Sequence, residues 1–296
     1  MSDPWRFAIL LIPDENPEIS SCDCGGPSGQ ALSVKTRQST VPYVTVVMCT
    51  FNEVDRIGSA LKEFLSSAAD RTESVEIIIV DNGSTDGTRE FLELLDEDNT
   101  RVIFNEHNLG KGGSIRKAIS ESKGDYVVIH DPDLEYRAED VWILLDATRN
   151  ADATMGLGSR VIGGNASYEY LANYLGVRFL TWSINLLFGA HITDAATAMK
   201  MLNGAHARSM NLRCTGFDLD FELVTSTLRL GGTITETRVH YSPRTVLEGK
   251  KLRAYRDGFA AFKAIVKDRF RAKRNFTLAS NLNSHIANSQ HSDDID

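Results

Sequence analysis

Apolar residues along this chain fall into two rhythms that alternate. Val44 to Met48, Val75 to Val80 and Tyr126 to Ile129 are runs of mostly aliphatic, often β-branched residues. They are short enough for strands and apolar enough for strands covered on both faces. Val102 to Phe104 is a shorter run of this kind, and Thr154 to Gly158 a weaker one. Between them the spacing changes to three or four residues, as in Ile57, Leu61, Phe64 and Leu65, and again in Phe91, Leu92 and Leu95 after Asp86. That is the period of one helix face. Strand, helix, strand in this order predicts an open, mostly parallel α/β sheet; no internal repeat underlies it.

The ends carry neither rhythm. Residues 1–40 mix Pro, Gly, Ser and Asp, which predicts a partly disordered extension, and 276–296, rich in Asn, Ser, His and Asp, a disordered tail. A catalytic domain is expected over 41–245, followed by a basic loop and amphipathic helix over 246–275. Near the start, the apolar run Phe7 to Ile12 leads to Asp14 and Glu15 without the cleavage pattern of a signal peptide. Tyr168 to Ile192 holds only Glu169 and Arg178 as charges before Ile192, and its glycines at 176 and 189 predict two short helices, either core elements or an acceptor groove facing lipid. Asp257 to Phe270 places Phe259, Phe262, Val266 and Phe270 on one helix face with Lys263, Lys267 and Arg271 elsewhere. This is an interfacial pattern that a helix packed on the core would share.

In parallel sheets ligands bind outside the carboxyl ends of the strands. Four strand ends in succession carry polar or glycine-rich chemistry here: Cys49-Thr50-Phe51-Asn52-Glu53, Asp81 to Gly87, Asn108-Leu109-Gly110-Lys111-Gly112-Gly113, and Asp131-Pro132-Asp133-Leu134-Glu135. An Asp-x-Asp on extended backbone sets two carboxylates on one side about 7 Å apart. Hard oxygens of that kind suit Mg²⁺ or Mn²⁺ bridging to a diphosphate, and Glu135 is placed to give a third oxygen. Asp81 can accept hydrogen bonds from a base or a ribose, while Asp86 with Gly87 reads as an Asx turn. Around Lys111 the glycines admit either a ligand's close approach at a helix N-terminus or plain packing. Arg160, beyond the weak strand, can meet a phosphate.

Composition narrows the class. With 42% hydrophobic residues over 296 positions the chain can bury one large domain or two small ones. Its net charge of −8 argues against nucleic acid as a partner. Residues 241–275 nevertheless hold 11 Lys or Arg against 3 Asp or Glu, a net +8 that leaves −16 on the rest. Cys22, Cys24, Cys49 and Cys214 complete no zinc set and read as thiols in a reducing compartment. No stretch reaches the roughly 20 apolar residues of a membrane span, so a peripheral location on the cytoplasmic face of a membrane is expected.

From Val44 to Phe270 the ordered set Thr-Phe-Asn-Glu, Val-Asp-Asn-Gly-Ser-Thr-Asp-Gly-Thr, Asn-Leu-Gly-Lys-Gly, Asp-Pro-Asp-Leu-Glu-Tyr, Gly-Ser-Arg and Pro-Arg-Thr-x-x-Glu-Gly-Lys-Lys resembles the family 2 glycosyltransferases, most closely their dolichol-phosphate mannose synthase-like, polyprenyl-phosphate branch. The resemblance implies a GT-A fold and inverting transfer of a hexose from a nucleotide-diphosphate sugar to a polyprenyl phosphate, with Mg²⁺ or Mn²⁺. By it, Cys49, Phe51, Glu53, Ile79 and Asp81 would line the nucleotide pocket, with Lys111 and Pro132 also on the donor side. Asp131, Asp133 and Glu135 would serve the metal, and Arg160, Arg244 and Lys250 the phosphates. Cys49, Phe51 and Asn82 depart from the family's usual Pro, Tyr and Asp, and Asp194 to Lys200 lacks the aromatic and Ser or Cys expected near an acceptor. A non-lipid acceptor, an inactive nucleotide-sugar-binding protein and a homo-oligomer stay open. A dehalogenase-type phosphatase is disfavoured, since its Asp-x-Asp belongs on the first strand.

Overall fold

The computed structural model describes residues 41–162, 171–243 and 254–271; the expected extension and tail lie outside them, as do Arg244 and Lys250. Seven strands, β1 (Tyr43–Thr50), β2 (Ser74–Asp81), β3 (Thr100–Phe104), β4 (Tyr126–Ile129), β5 (Met155–Ser159), β6 (Lys200–Asn203) and β7 (Ile234–Arg238), make one sheet in the order β3-β2-β1-β4-β6-β5-β7. Around them lie helices α1 (Val54–Ala68), α2 (Thr88–Glu93), α3 (Gly110–Glu121), α4 (Glu139–Asn150), α5 (Leu171–Phe188), α6 (Gly204–Ser209), α7 (Leu219–Arg229) and α8 (Ala254–Arg269).

The first four strands run parallel, as their apolar runs predict, with Thr50 opposite Asp81 and Asp81 opposite Phe104. Each face is covered. Val47, Ile78, Val80 and Ile129 pack with α3 and α7 residues on one side, while Val46, Ile77, Ile79 and Val128 meet Ile57, Phe64 and Leu144 on the other. Burial on both faces, at about 25 cal/mol per Å² of apolar surface, is what makes these strands legible as runs. The second part of the sheet is mixed: β6 runs antiparallel to both β4 and β5, and β7 returns parallel to β5. Reversal puts the first residue of β6, Lys200, opposite Ile129, at the carboxyl end of β4.

One expectation about the helices needs correction, and one pair of alternatives is narrowed. Residues 171–188 form a single helix through Gly176, because one exposed glycine costs only about 1 kcal/mol and tertiary packing on α7 and α8 offsets it. The helix stops at Gly189, whose φ of +67° supplies the left-handed stop. In α8 the face turned inward is Ala261, Ile265 and Asp268, not the phenylalanine stripe. Asp268 accepts from Thr225 Oγ1 (2.7 Å) and Ser226 Oγ (3.1 Å) on α7. Those bonds rotate Phe259 and Phe270 outward, and Phe262 packs against Phe179 of α5.

Candidate active site

The four strand ends meet along one edge of the sheet, joined by their loops. After β1, Asn52 adopts a left-handed φ of 53° and its side chain accepts from the Thr85 amide (2.8 Å), while its own amide donates to Ser84 Oγ (2.9 Å). Asp86 accepts from Thr88 and from the Val54 amide, the Asx turn read in the sequence. Its carboxyl is held below the ordinary range: burial pushes it up, and those hydrogen bonds outweigh the push. Asn82, which replaces the family's usual Asp, accepts from the Leu109 amide (2.8 Å) and Asn105 Nδ2 (3.2 Å), tying the second strand end to the third.

Asp81 is fully buried, accepting from the Ser84 amide (3.1 Å) and from Arg89, whose guanidinium lies 4.9 Å from the Phe104 ring centre. Glu53 is also buried and pairs with Arg56 at 3.2 Å. Cys49 and Phe51 are partly exposed, and burial together with the charge of Asp131 pushes the Cys49 thiol up. Ile79 does not line a pocket with them. It is fully buried among Met48, Ile57 and Phe64, and serves by fixing the strand that ends in Asp81. Pro132 is likewise buried; its fixed φ holds the turn between the two aspartates.

The glycines around Lys111 answer to packing. At Gly110, with φ +76°, a Cβ would stand 2.2 Å from the Thr215 carbonyl, and at Gly112 one would stand 2.8 Å from that of Cys214. The amides of Gly112 and Gly113 donate to Thr215 O at 2.8 and 3.3 Å. The N-terminus of α3 is therefore capped by protein rather than open to a phosphate. Lys111 points elsewhere: its amine lies 2.6 Å from Asp131 Oδ2 and 3.6 Å from Asp220 Oδ2. Asp220 escaped the sequence reading, since it sits inside an amphipathic helix pattern, and Lys200, read there only as the end of the Asp194 segment, reaches this edge through strand reversal. Lys200 is wholly buried, 3.4 Å from Asp220 Oδ1, and also donates to the Thr197 carbonyl.

Asp133 is partly exposed and accepts from the Glu135 amide (3.1 Å). Burial raises Asp131's carboxyl above its ordinary range, with Lys111 opposing and Asp133 and Asp220 adding to the rise. Such a crowd of hard oxygens fits a divalent cation. Glu135, expected as the third ligand, is not gathered with them: it is hydrogen-bonded to the Tyr241 side chain. Among the described residues no three His, Cys, Asp or Glu side chains form a ready metal set, so an ion held by Asp131 and Asp133 needs further oxygens from a ligand.

Arg160 is 9% exposed and grips Asp194 bidentately, Nε to Oδ2 at 2.7 Å and Nη2 to Oδ1 at 2.8 Å. Its guanidinium also lies 5.1 Å from the Tyr241 ring centre, beside Tyr136. Glu236 of β7 accepts from the amides of Thr193 and Asp194. The Asp194–Lys200 segment, weak as a motif, is thus held from three sides. Helix α5 joins it through Arg178 to Thr193 O (3.2 Å) and Asn185 with Ile192. The outer face of that helix shows Leu175, Phe179, Trp182 and Leu186, each at least half exposed.

Residues 45–205 match the profile of Glycosyl transferase family 2. The chain is 28% identical over 235 residues to the low-salt glycan biosynthesis hexosyltransferase Agl6 of Haloferax volcanii, covering 78% of this chain but only 55% of that relative. It is 28% identical over 292 residues to the dolichyl-phosphate beta-glucosyltransferase of Dictyostelium discoideum, 90% of this chain and 88% of the relative. Among solved structures, glucosyl-3-phosphoglycerate synthase of Mycobacterium tuberculosis, in complex with Mn²⁺, UDP and phosphoglyceric acid, superposes with a TM-score of 0.60 at 18% identity, over 79% of this chain and 80% of that one. The shared fold is GT-A.

Proposed function

Because the chain belongs to glycosyl transferase family 2, we propose that it is a metal-dependent inverting enzyme moving a hexose from a nucleotide-diphosphate sugar, of the GDP-mannose or UDP-glucose type, to a polyprenyl or dolichyl phosphate. The carrying observation is the junction of two surfaces. The acidic sheet edge of Asp131 and Asp133 is continuous, through Lys200 and the Asp194 segment, with a helix presenting Leu175, Phe179, Trp182 and Leu186 to solvent. Relatives named as dolichyl-phosphate beta-glucosyltransferases in Dictyostelium discoideum and Mus musculus support the acceptor class.

Asp81, fully buried, serves the donor side through the Ser84 amide and Arg89 that it holds, and Phe51 and Cys49 border the same strand ends. Asp133, with Asp131, holds Mg²⁺ or Mn²⁺, which when bound supplies Lewis-acid stabilisation of the departing diphosphate. Arg244 and Lys250, outside the described residues, add positive charge to those phosphates. Arg160 braces the acceptor segment through Asp194. A phosphate monoester, with second pKa about 6, already carries a nucleophilic oxygen at pH 7. The site then needs no general base. The exposed apolar stripe and the cationic residues Arg256, Lys263 and Lys267 on the exposed side of α8 bring the enzyme to an anionic membrane surface as a peripheral protein. Among the described residues no helix is long and apolar enough to cross a membrane.

Incubating the protein with labelled UDP-glucose or GDP-mannose, dolichyl phosphate and Mn²⁺ should give an organic-extractable, mild-acid-labile product. Label confined to water-soluble products would overturn the lipid acceptor. Pelleting with anionic liposomes should fall when Trp182 and Phe259 are both changed to Ser; equal pelleting of the two proteins would remove the membrane face.

A further inference from the structure

Lys200 and Asp220 take no part in the chemistry proposed above, yet both are buried against it. The amine of Lys111 stands between two carboxylates, 2.6 Å from Asp131 and 3.6 Å from Asp220, with the Phe217 ring centre at 5.8 Å on a further side. Asp220 is fixed from behind by Lys200 at 3.4 Å. Three aspartates and two lysines, Asp131, Asp133, Asp220, Lys111 and Lys200, leave this cluster one negative charge. A divalent ion takes carboxylate oxygens at about 2.1 Å, so an ion bound to Asp131 and an amine seated on it would be two cations sharing one carboxylate.

We propose that Lys111 is a resident counter-cation with two seats: Asp131 in the metal-free protein, and Asp220 when a divalent cation occupies Asp131. The inference rests on the metal reading above and concerns what the chain does when the ion arrives. The lysine stem is flexible, and closing the second seat needs a shift of the amine on the order of 1 Å, judged from ordinary charge-assisted bond lengths. The backbone around it stays put. Gly112 and Gly113 are bonded to Thr215, and the loop bearing Thr215 is anchored by Glu222, which accepts from the Arg213 and Cys214 amides at 2.8–2.9 Å. Rearrangement is thereby confined to one side chain. Lys200, seated on the far oxygen of Asp220, holds that carboxylate in place whether or not Lys111 is on it.

The test is Mn²⁺ affinity, read from the loss of the free-ion EPR signal, with the protein alone and with UDP or GDP. Lys111→Met removes the competing cation and should tighten Mn²⁺ binding on the order of tenfold, whereas loss of a purely supporting partner of a metal ligand weakens it by 10- to 100-fold. Asp220→Asn removes the second seat and should weaken binding by a similar factor. Most of that penalty should vanish in the Lys111→Met background, where no lysine needs the seat. Lys111→Gln repeats the first measurement should the methionine variant fold poorly, and melting curves accompany each protein. Weaker or unchanged Mn²⁺ binding in Lys111→Met and Lys111→Gln overturns the inference, as does an Asp220→Asn penalty equal in both backgrounds. A wild-type protein that binds no Mn²⁺ even with nucleotide removes the metal reading itself, a failure distinct from these.

Discussion

Arg160 and Asp194 meet through bonds of 2.7 and 2.8 Å, with a third from the Arg160 amide at 3.2 Å. Lys111, at the same sheet edge, makes one short contact with Asp131 and shares Asp220 with Lys200 at 3.6 and 3.4 Å. The first is buried, bidentate and saturated, while the second, partly buried, divides its charge among partners that cannot all be satisfied at once. A saturated pair suits an anchor, since any movement forfeits two charge-assisted bonds. A shared pair suits a place where charge arrives and leaves. The Asp194 part of this edge is therefore built around a lock, and the Asp131 part, on the proposal above, around a charge balance that a bound cation would alter.

That contrast can be broken at several points. The largest effect belongs to Asp133→Ala, which should lower transfer by about three orders of magnitude, an effect of several kcal/mol on the transition state, with the melting temperature unchanged. Full activity under saturating Mg²⁺ would move the metal elsewhere. Next comes Arg160→Met, which strands Asp194 as a buried charge and should cost about 3–5 kcal/mol in stability, measured by denaturant unfolding.

The same variant carries a sign test. In the wild type burial pushes Asp194 up, but the Arg160 charge and bonds outweigh it and leave the carboxyl below its ordinary value of 3.8. A depressed folded pKa gives stability that is present above 3.8 and lost as pH falls below it. Without Arg160, burial alone raises that pKa, so the variant should regain stability relative to wild type as pH drops from 7 towards 5. A constant difference across that range would show Asp194 is not the stranded charge. The smallest effect is expected of Gly112→Ala, where the new Cβ meets backbone at 2.8 Å. It should cost about 1–3 kcal/mol and show no special loss of nucleotide binding, which separates packing from a phosphate cradle.

The parallel half of the fold was legible because β1, β2 and β4 are buried on both faces and so must be apolar almost throughout. Lys200–Asn203 and Ile234–Arg238 were not. The former is four residues long and opens on a lysine, and the latter alternates Thr, Glu and Arg on a half-buried strand. At the site, Asp81, Asp131 and Asp133 were visible because a carboxylate directly after an apolar run is a sharp break in pattern. Glu135 obeys the same alternation, but its side chain bonds to Tyr241, 106 positions away in sequence, a partner that no local pattern signals.

What the chain's sequence settled by itself is the parallel half of the sheet and the family to which it belongs, both of which depend on local runs and their terminations. What only tertiary structure decided is how charges pair across that edge. Lys111 to Asp220, Arg160 to Asp194 and Asp268 to Thr225 are contacts between elements distant in sequence. Burial of a charge depends on its three-dimensional neighbours, and no spacing along the chain encodes them.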